Sequence, residues 1–587
     1  MTWKQVSEAH RRLSREQGYV VKGWGGRIPV ALVYPNSYYL GMSSLGVQTV
    51  YRLFNALDSV VCERAFISEA SPQMPGADNE GWTGNGRLGR GRQASEAEAD
   101  TPISLESQRP LSDFAIVAFS VSYEMDYFNL VSALKRSGIP LLSSERDERH
   151  PLVMAGGPCI TANPEPLAPF LDVAVMGEGE LIIPAITRVL EDTRGERRQQ
   201  VLEQLAKAPG VYVPALGNPV TRQWLKDLDS YNTTSVVLTP DTSLGDMYLM
   251  EVTRGCAWGC RFCLAGYLFR PMRARSLPVL LDAAREGLRH RKRLGLVGAA
   301  VSDYPWIDEL VARLREMGAN LSASSLRLRP LSRALVSALL ETGAHTLTFA
   351  PEAGSDRLRE IINKGVSEED IFNGVEYTAQ FHVGRLKLYF MVGLPGETEE
   401  DIEALVRLCL ACRERLDARS PGTELVVSLT PFVPKAGTPF QWEAMAPVEA
   451  LMGRLGRIKR ALRRSHIHVR HESPEWSAVQ GMLARGDRRL AGALALIKDS
   501  SLSSWKKALE DAGVDGRAYL EGSDPLSPMP WSHIDQDLPQ GLLGRQQSKA
   551  FGVAESSLEC PPAGSNSDVS PRETPHRGVS TIGVPAL

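Results

Sequence analysis

Short aliphatic runs that alternate with helical segments constrain the fold of this chain more than any other feature. The runs IPVALVY (28–34), FAIVAFSVS (114–122) and LVMAGGP (152–158) each lead through a loop into the next segment. After the first run, helical spacing is shown by Leu45, Val50, Leu53 and Leu57. Apolar strands joined by helices are typical of parallel sheets covered on both faces. The sequence therefore predicts an α/β protein with a Rossmann-like domain at 28–195, preceded by a helical lead-in at 1–27.

The same alternation starts again after residue 240. The run DMYLMEVTRGC begins it, and further strand-like runs follow at 295–302, 319–328, 345–352, 385–396 and 424–434. Repeated strand-helix units of this kind predict a full or partial (β/α) barrel over residues 240–440. The chemistry of such a barrel lies at the carboxyl ends of its strands.

Three further segments differ in composition. Residues 75–102 are rich in Gly, Arg, Glu and Ala, which predicts a disordered insertion, a solvated loop rather than an RNA contact. Residues 441–540 are expected to form a helical C-terminal region with some mixed α/β structure. The Ser, Pro and Gly content of residues 545–587 predicts a disordered tail.

The stretch RLGRIKRALRRSHIHVRH has two interpretations. Its cations could grip RNA, whereas an apolar stripe of Leu455, Ile458 and Leu462 at helical spacing favours a solvated helix face. We prefer the helix and keep an RNA-binding module as an alternative.

The bulk composition excludes several classes of protein. A chain of 587 residues with 43% hydrophobic and 23% charged residues is expected to fold as a soluble protein of several domains. Its net charge of −3 gives no global attraction to nucleic acid or to an anionic membrane. The first residues lack the apolar stretch of a secretory signal, and no run is long enough to span a membrane. We expect a cytoplasmic location and no membrane partner.

Three of the eight cysteines lie in one short loop, EVTRGCAWGCRFC. Cys256, Cys260 and Cys263 are spaced C-x3-C-x2-C, and cysteine thiolates are the usual ligands of iron-sulfur clusters. A four-iron cluster has four ligand positions, so three cysteines leave one iron open for a cofactor or substrate. A zinc site is the alternative, but it needs a fourth ligand, and the first histidine after the loop is His290. The loop predicts a 4Fe-4S cluster.

A second close pair of cysteines needs a separate explanation. Cys409 and Cys412 lie within an amphipathic helical segment, which favours buried core thiols over a second cluster.

The cysteine loop resembles the signature of the radical S-adenosylmethionine (radical SAM) superfamily, C-x3-C-x-aromatic-C, with Phe262 as the aromatic residue. This resemblance implies that the open iron binds S-adenosylmethionine and that its reductive cleavage yields a 5'-deoxyadenosyl radical. It also implies an external electron donor such as flavodoxin or ferredoxin. The protein supplies orientation and excludes water, while the cofactor carries the organic chemistry.

The resemblance extends over about residues 245–440 and implies further cofactor contacts. Ser325 and Arg327 would face the methionine or ribose part, and Glu352 would make a polar contact after another strand. Gly393 would bring backbone close to the adenine, near Phe262. The usual Gly-Gly-Glu segment is replaced by VGAAVSDYP, so that Ser302 and Asp303 are the candidates for the amino-group contact.

The first domain resembles the cobalamin-binding-like domain that precedes the core in many radical SAM enzymes. The stretch PNSYYLGMSSLG lacks the histidine of Asp-x-His-x-x-Gly, so no lower imidazole ligand is present in that motif. The segment SLTPFVPKAGTPFQW is similar to the end of the core in radical methylthiotransferases, although the additional three-cysteine domain is missing. The overall pattern, including the PWSHID segment, is similar to a radical SAM family, and this resemblance does not indicate a substrate.

These observations together predict a radical SAM enzyme of unknown substrate, with nucleic acid or peptide as the candidates and no catalytic residue assigned. Two alternatives remain open at this point. One is a cluster-containing RNA-binding protein without radical catalysis, and the other is a cobalamin-dependent radical methyltransferase.

Overall fold

The computed structural model of the protein describes residues 2–67, 100–323 and 326–552. Most of the predicted insertion (75–99), the end of the predicted tail (553–587) and Ser325 lie outside the described residues. Within these ranges, no helix combines the length and the hydropathy needed to cross a bilayer.

The first part of the chain forms a twisted α/β sheet. Its strands are β1 (Ile28–Tyr34), β2 (Val60–Phe66), β3 (Ile116–Ser120), β4 (Leu152–Gly156), β5 (Val173–Val175) and β6 (Val211–Tyr212), followed by the separate strand β7 (Val220–Thr221). Its helices are α1 (Trp3–Leu13), α2 (Tyr38–Gly41), α3 (Leu45–Asn55), α4 (Tyr127–Arg136), α5 (Pro158–Ala162), α6 (Gly179–Asp192) and α7 (Arg198–Leu205).

The strand order is β2-β1-β3-β4-β5-β6, with all neighbours parallel except β5 and β6. In such doubly wound sheets ligands bind outside the carboxyl ends of the strands, at the point where the order reverses, here between β1 and β3. The aliphatic run of β1 is buried on both faces, since Ala31 and Val33 belong to one core and Val30 and Leu32 to the other. The predicted Rossmann-like architecture is confirmed, and β2 is a strand that the sequence pattern did not reveal.

The second part forms a partial (β/α) barrel, as predicted. Its strands are β8 (Tyr248–Glu251), β9 (Thr253–Arg254), β10 (Arg273–Ala274), β11 (Arg293–Val297), β12 (Asn320–Ala323), β13 (Thr346–Glu352), β14 (Arg385–Val392), β15 (Glu424–Pro431) and β16 (Ile467–His471). The helices between them are α8 (Ala265–Leu268), α9 (Leu277–Leu288), α10 (Ile307–Glu316), α11 (Arg333–Glu341), α12 (Asp356–Ile361), α13 (Glu368–Gln380), α14 (Glu399–Arg419) and α15 (Val448–Leu462).

The barrel strands are parallel and run in the orders β12-β11-β8 and β13-β14-β15-β16, while β9 and β10 form a small antiparallel pair beside them. A parallel bridge between Leu326 and Phe349 connects the two sets of barrel strands. In β14 burial alternates strictly along the strand, as period-two packing requires. Cys409 and Cys412 are fully buried in α14, which supports the core interpretation.

Strand β16 falls within the region at 441–540 that was predicted to be helical. It pairs with β15 and extends the barrel sheet beyond residue 440. In β16 the exposed His468 alternates with aliphatic neighbours, and its basic residues concealed the period-two pattern in the sequence. The preceding helix α15 confirms the predicted apolar stripe, because Leu455, Ile458 and Leu462 are all buried.

The last part of the described chain packs back onto the first domain. It contains α16 (Pro474–Arg485), α17 (Leu490–Leu496), α18 (Leu502–Asp511), β17 (Ile534–Asp535) and α19 (Leu542–Phe551). Trp505 of α18 meets Phe128 of α4 edge to face at 5.4 Å between ring centroids. The PWSHID segment joins all three parts, since Trp531 Nε1 donates to Gln441 Oε1 at 2.9 Å and β17 pairs with β7.

The predicted disordered tail begins too early. Residues 545–551 belong to α19, whose Ala550 is buried and whose Phe551 ring stacks with Phe440 at 6.2 Å between centroids. These two apolar side chains give the helix a packed face that the polar composition around it concealed.

Candidate active site

The cysteine loop follows β9 at the carboxyl end of the first barrel strand. Gly255, which leads into Cys256, has a φ of +82°, and a Cβ at this position would collide with the Phe269 carbonyl oxygen. Cys256 and Cys260 are buried and Cys263 is partly exposed. The loop is thus set by a close backbone contact that only glycine permits.

Side chains from elsewhere in the barrel fix the loop from its other side. Tyr267 Oη donates to the Gly259 carbonyl at 2.9 Å, and Asn363 Nδ2 donates to the same oxygen at 3.0 Å. The Arg261 amide donates to the Ile362 carbonyl at 3.0 Å. The loop is therefore preorganised by the segment that follows α12.

The three thiols lie close enough to affect one another electrostatically. The pKa of the Cys260 thiol is raised to about 11, chiefly by burial and also by Cys263 and Cys256, against the lowering effects of Lys364 and Arg327. Burial also raises the pKa of Cys263, and the backbone N–H groups of Ala265 and Gly266 lower it. These amides would donate to the sulfur of Cys263 as a thiolate, the form that binds metal.

The donor set fits an iron-sulfur cluster better than a single metal ion. Among the described residues, no three His, Cys, Asp or Glu side chains converge closely enough to hold one ion. Thiolates on a cluster bind different irons and stand farther apart than the ligands of one zinc ion. His290 does not complete a zinc site, since it is exposed beside Glu286 at 3.2 Å.

Trp258, inside the cysteine loop, contacts two of the residues that are predicted to bind the cofactor, Asp303 and Arg327. Its Nε1 donates to Asp303 Oδ2, and the Arg327 guanidinium carbon lies 4.0 Å from the centroid of its ring. Arg327 also donates its backbone N–H to Ser302 Oγ at 3.4 Å. The cysteine loop, the turn after β11 and the segment after β12 therefore meet at one point.

Two polar atoms in this group have no hydrogen-bond partner within the described part of the chain. They are Asp303 Oδ1 and Arg327 Nη2, both buried. Burial raises the pKa of Asp303, against the lowering effects of Trp258 and Arg327. Buried unpaired polar atoms are costly, and a zwitterionic ligand would satisfy an acceptor and a donor placed together.

Glu352 pairs with Lys364 close enough to Arg327 to be affected by its charge. Its Oε1 accepts from Lys364 Nζ at 3.2 Å, and its backbone holds a φ of +70°, rare for a residue other than glycine. Burial raises the pKa of Glu352, whereas Lys364 and Arg327 lower it. Strained backbone at a polar residue is characteristic of functional sites.

Comparison of the sequence with family models shows to which family of enzymes the chain belongs. The model described as the radical SAM superfamily matches residues 250–409. The model described as the N-terminal part of radical SAM proteins matches residues 91–214. This chain belongs to the radical SAM superfamily. Members of the superfamily are enzymes that use a 4Fe-4S cluster and S-adenosylmethionine.

The chain is also similar to individual proteins of known sequence or structure. The chain is 33% identical over 426 residues to the protein MJ0966 of Methanocaldococcus jannaschii, which covers 70% of this chain and 89% of that protein. It is 25% identical over 275 residues to the methyltransferase PH0819 of Pyrococcus horikoshii, covering 43% of this chain and 57% of that protein. The solved structure of the cobalamin-dependent radical SAM enzyme OxsB aligns with a TM-score of 0.44 at 12% identity, over 82% of this chain and 70% of that one.

Two other predicted residues of this radical SAM enzyme, Phe262 and Gly393, have contacts outside the Trp258 group. Phe262 packs in a small apolar cluster with Leu394, the neighbour of Gly393. The Gly393 amide donates to Glu397, and a Cβ there would meet Leu451 at 2.6 Å, so this glycine is also needed for packing against α15. Ser325 lies outside the described residues, and its contact stays a prediction.

Sequence reasoning missed Trp258 and Lys364. Trp258 stands between the first two cysteines, and its position in the motif was a usable signal. Lys364 follows Glu352 by a helix, so that only the fold brings the two side chains together.

A large cavity lies between the first domain and the radical SAM core. Its volume is about 450 Å³, and it opens at the carboxyl ends of the Rossmann-like strands. The first domain contributes Gly46, Leu53, Ser120 and Gly157, and the core contributes Thr253, Arg254 and Val297. Its walls therefore reach the residues directly before Cys256.

Proposed function

We propose that Cys256, Cys260 and Cys263 hold a 4Fe-4S cluster and that the enzyme generates a 5'-deoxyadenosyl radical that acts on an unidentified substrate. The observation that carries this proposal is the preorganised loop of three thiols beside the unpaired atoms of Asp303 and Arg327. When bound, the cluster supplies the electron that cleaves S-adenosylmethionine reductively.

The residues of the chain have distinct parts in binding the cofactor. Asp303 Oδ1 is the acceptor for its amino group, and Arg327 Nη2 is the donor for its carboxylate. Trp258 orients both of these side chains, by its hydrogen bond to Asp303 and by its ring face under Arg327. This division replaces the Gly-Gly-Glu segment that the chain lacks.

The remaining contacts belong to the ribose and the base. Glu352 offers a carboxylate to the ribose, and Lys364 keeps that carboxylate oriented. Phe262 packs beside Leu394 and would cover one face of the adenine. Ser302 supports Arg327 through the backbone of that residue.

Anaerobic reconstitution with iron and sulfide, followed by reduction with dithionite, tests the proposal. We expect 5'-deoxyadenosine from S-adenosylmethionine, and loss of both iron and product in Cys263→Ser. The matched control is Cys409→Ala, which removes a buried thiol from α14 and leaves the loop intact. A wild-type protein that binds no iron, or that carries a full cluster without forming the product, would refute the proposal.

The electron donor and the substrate belong to the same proposal. A reduced flavodoxin or ferredoxin replaces dithionite in the cell, and product formation with either one tests this. The candidate substrate classes are nucleic acid and peptide.

The cavity favours a second candidate function, methyl transfer with bound cobalamin. The cavity joins the carboxyl ends of the Rossmann-like strands to the start of the cysteine loop, and its walls are mainly apolar. PH0819 carries the name of a methyltransferase, which agrees with this chemistry. A bound corrinoid would supply a methyl group there, while the apolar walls exclude water.

A cavity-filling variant tests this candidate. Gly46 lies in α3, and a Cβ there would meet only Ser44 Oγ at 3.7 Å, so that Gly46→Phe enters the cavity without a clash at its Cβ. We expect the wild-type protein to retain hydroxocobalamin through gel filtration and Gly46→Phe to lose it, by absorbance. Gly453→Phe is the control, since Gly453 is a helical glycine with open space around it. Equal retention in all three proteins would dismiss the cavity as the corrinoid site.

A further inference from the structure

A buried network of ion pairs connects the cavity wall to the cysteine loop. Arg254, two residues before Cys256, donates to Glu178 Oε2 at 2.7 Å and to Glu180 Oε1 at 2.8 Å. It also holds both oxygens of Glu251 at 2.9 Å. Glu178 and Glu180 belong to the first domain, whereas Arg254 and Glu251 belong to the core, so one guanidinium bridges the two.

The network is closed by two further arginines. Arg273 donates to both oxygens of Glu178, at 3.0 and 2.7 Å, and Arg275 donates to Glu251 at 2.6 Å. The side chains are 12% exposed or less, and three cations face three carboxylates. Removing one member of such a network leaves an uncompensated buried charge, so the geometry of each member depends on the others.

The same carboxylates form part of the cavity. Glu178 precedes the first residue of α6 and Glu180 lies in its first turn, and both line the cavity together with Ile183 and Ile186 of that helix. A molecule bound in the cavity would therefore contact the apolar residues of α6 and also Arg254.

Arg254 is separated from the first thiol by very little backbone. Only Gly255 separates Arg254 from Cys256, and a Cβ on Gly255 would collide with the Phe269 carbonyl oxygen, so the backbone runs close to that carbonyl. The position of Arg254 therefore bears on that of Cys256 through a single closely packed residue.

We propose that Arg254 is a positioning residue through which Glu178 and Glu180 of the first domain set the geometry of the cysteine loop. The occupancy of the cavity is then coupled to the binding of S-adenosylmethionine at the open iron. This inference rests on the proposed function, because it takes the loop to hold the cluster.

The decisive variant is Glu180→Gln, which keeps the shape of the side chain and removes its charge. Glu180 belongs to the first domain and reaches the cysteine loop through its 2.8 Å hydrogen bond with Arg254. After reconstitution we expect full iron content, an altered electron paramagnetic resonance spectrum with S-adenosylmethionine present, and about tenfold weaker binding of that cofactor.

Asp172→Asn is the matched control. Asp172 is a buried carboxylate of the same domain, paired with Arg146 at 2.8 Å and Arg198 at 2.7 Å and absent from the Arg254 network. The Asp172→Asn variant should be less stable than the wild type, but the substitution lies outside the network that contacts the cysteine loop. We therefore expect its spectrum and its affinity for S-adenosylmethionine to match those of the wild type. Identical spectra and affinities in Glu180→Gln and Asp172→Asn would overturn the inference.

A second variant covers the case in which Glu180→Gln fails to fold. Arg254→Lys keeps the charge but cannot hold three carboxylates at once, and we expect the same spectral change with smaller loss of stability. A wild-type spectrum in Arg254→Lys would overturn the inference. A wild-type protein without any cluster signal would instead refute the proposed function.

Discussion

Arg327 lies over the indole of Trp258, with its guanidinium carbon 4.0 Å from the ring centroid and its Nε 3.8 Å from Asp303 Oδ2. The stack joins the segment after β12 to the cysteine loop, far apart in sequence. It places a cation beside the cysteine loop, where Arg327 would donate to the carboxylate of a bound cofactor.

Replacing Arg327 by Lys should weaken the binding of S-adenosylmethionine. Lysine retains the charge but loses the contact of the guanidinium with the ring and the fork of donors, which costs about 0.5 to 2 kcal/mol, or roughly a twofold to thirtyfold rise in dissociation constant. Isothermal titration of the reconstituted protein measures this. Arg329→Lys, at an exposed position of the same segment, should bind normally; equal affinities in both variants would contradict the role of the stack.

Asp126 predicts a dependence of stability on pH. Burial raises the pKa of Asp126 from 3.8 to about 7, against the hydrogen bond from Asn36. Between pH 3.8 and about 7, Asp126 is therefore protonated in the folded state but ionised in the unfolded state. Because of this difference, the free energy of unfolding falls as the pH rises through that range.

Asp126→Asn should remove this penalty. We expect the variant to gain on the wild type by about 2 to 4 kcal/mol at pH 8 and by much less at pH 4, in chemical denaturation. Asp113→Asn, at a half-exposed carboxylate, should show no such trend. A constant difference between pH 4 and pH 8 would contradict the shifted pKa.

Lys435→Met tests the ion pair that joins the core to the first domain. Lys435 Nζ lies 2.6 Å from Glu124 Oε1, and Glu124 is 5% exposed. Loss of the cation leaves a buried carboxylate with Gln480 as its remaining side-chain donor, which should cost about 3 to 5 kcal/mol.

The control for this prediction is Lys507→Met, which breaks an exposed helical pair with Asp511. We expect a change within about 0.5 kcal/mol there. A similarly small effect in Lys435→Met, measured by denaturant unfolding, would show that the domain contact does not depend on the pair.

The basic face of α15 and its following turn bears on the RNA-binding alternative. Arg463 and Arg464 are exposed, and the apolar side of the helix is fully occupied by the core. We expect Arg463→Ala with Arg464→Ala to leave the salt dependence of binding to a 20-nucleotide RNA unchanged. A slope reduced by about two would instead identify these side chains as phosphate contacts.

The parts of the fold that depend on apolar periodicity could be predicted from the sequence. The residues of β1 are buried on both faces and those of β14 on alternate positions, and both patterns were visible in the letters alone. Strand β16 could not be identified in this way, because its core contacts come from few residues among His and Arg. Helix α19 owes its position to Ala550 and Phe551 against a surface that forms only in the folded barrel.

The site divides along similar lines. The three cysteines form a local motif and were found by their spacing, whereas Lys364 and Trp258 acquire partners from segments distant in sequence. The network of Arg254 is of the second kind, since Glu178 and Arg273 are ordinary charged residues until the two domains meet. Local chemistry was predictable, and the polar contacts between segments were not.

The pairing of β17 with β7 sets the order in which a newly made chain can mature. Ile534 can pair with Val220 only after more than three hundred intervening residues have left the ribosome, so this contact forms late in synthesis, after the residues of the six-stranded sheet have emerged. A chain shortened before Trp531 would lack both this pairing and the bond from Trp531 Nε1 to Gln441 Oε1, so its first domain and its core would lose the contacts that the C-terminal segment gives them.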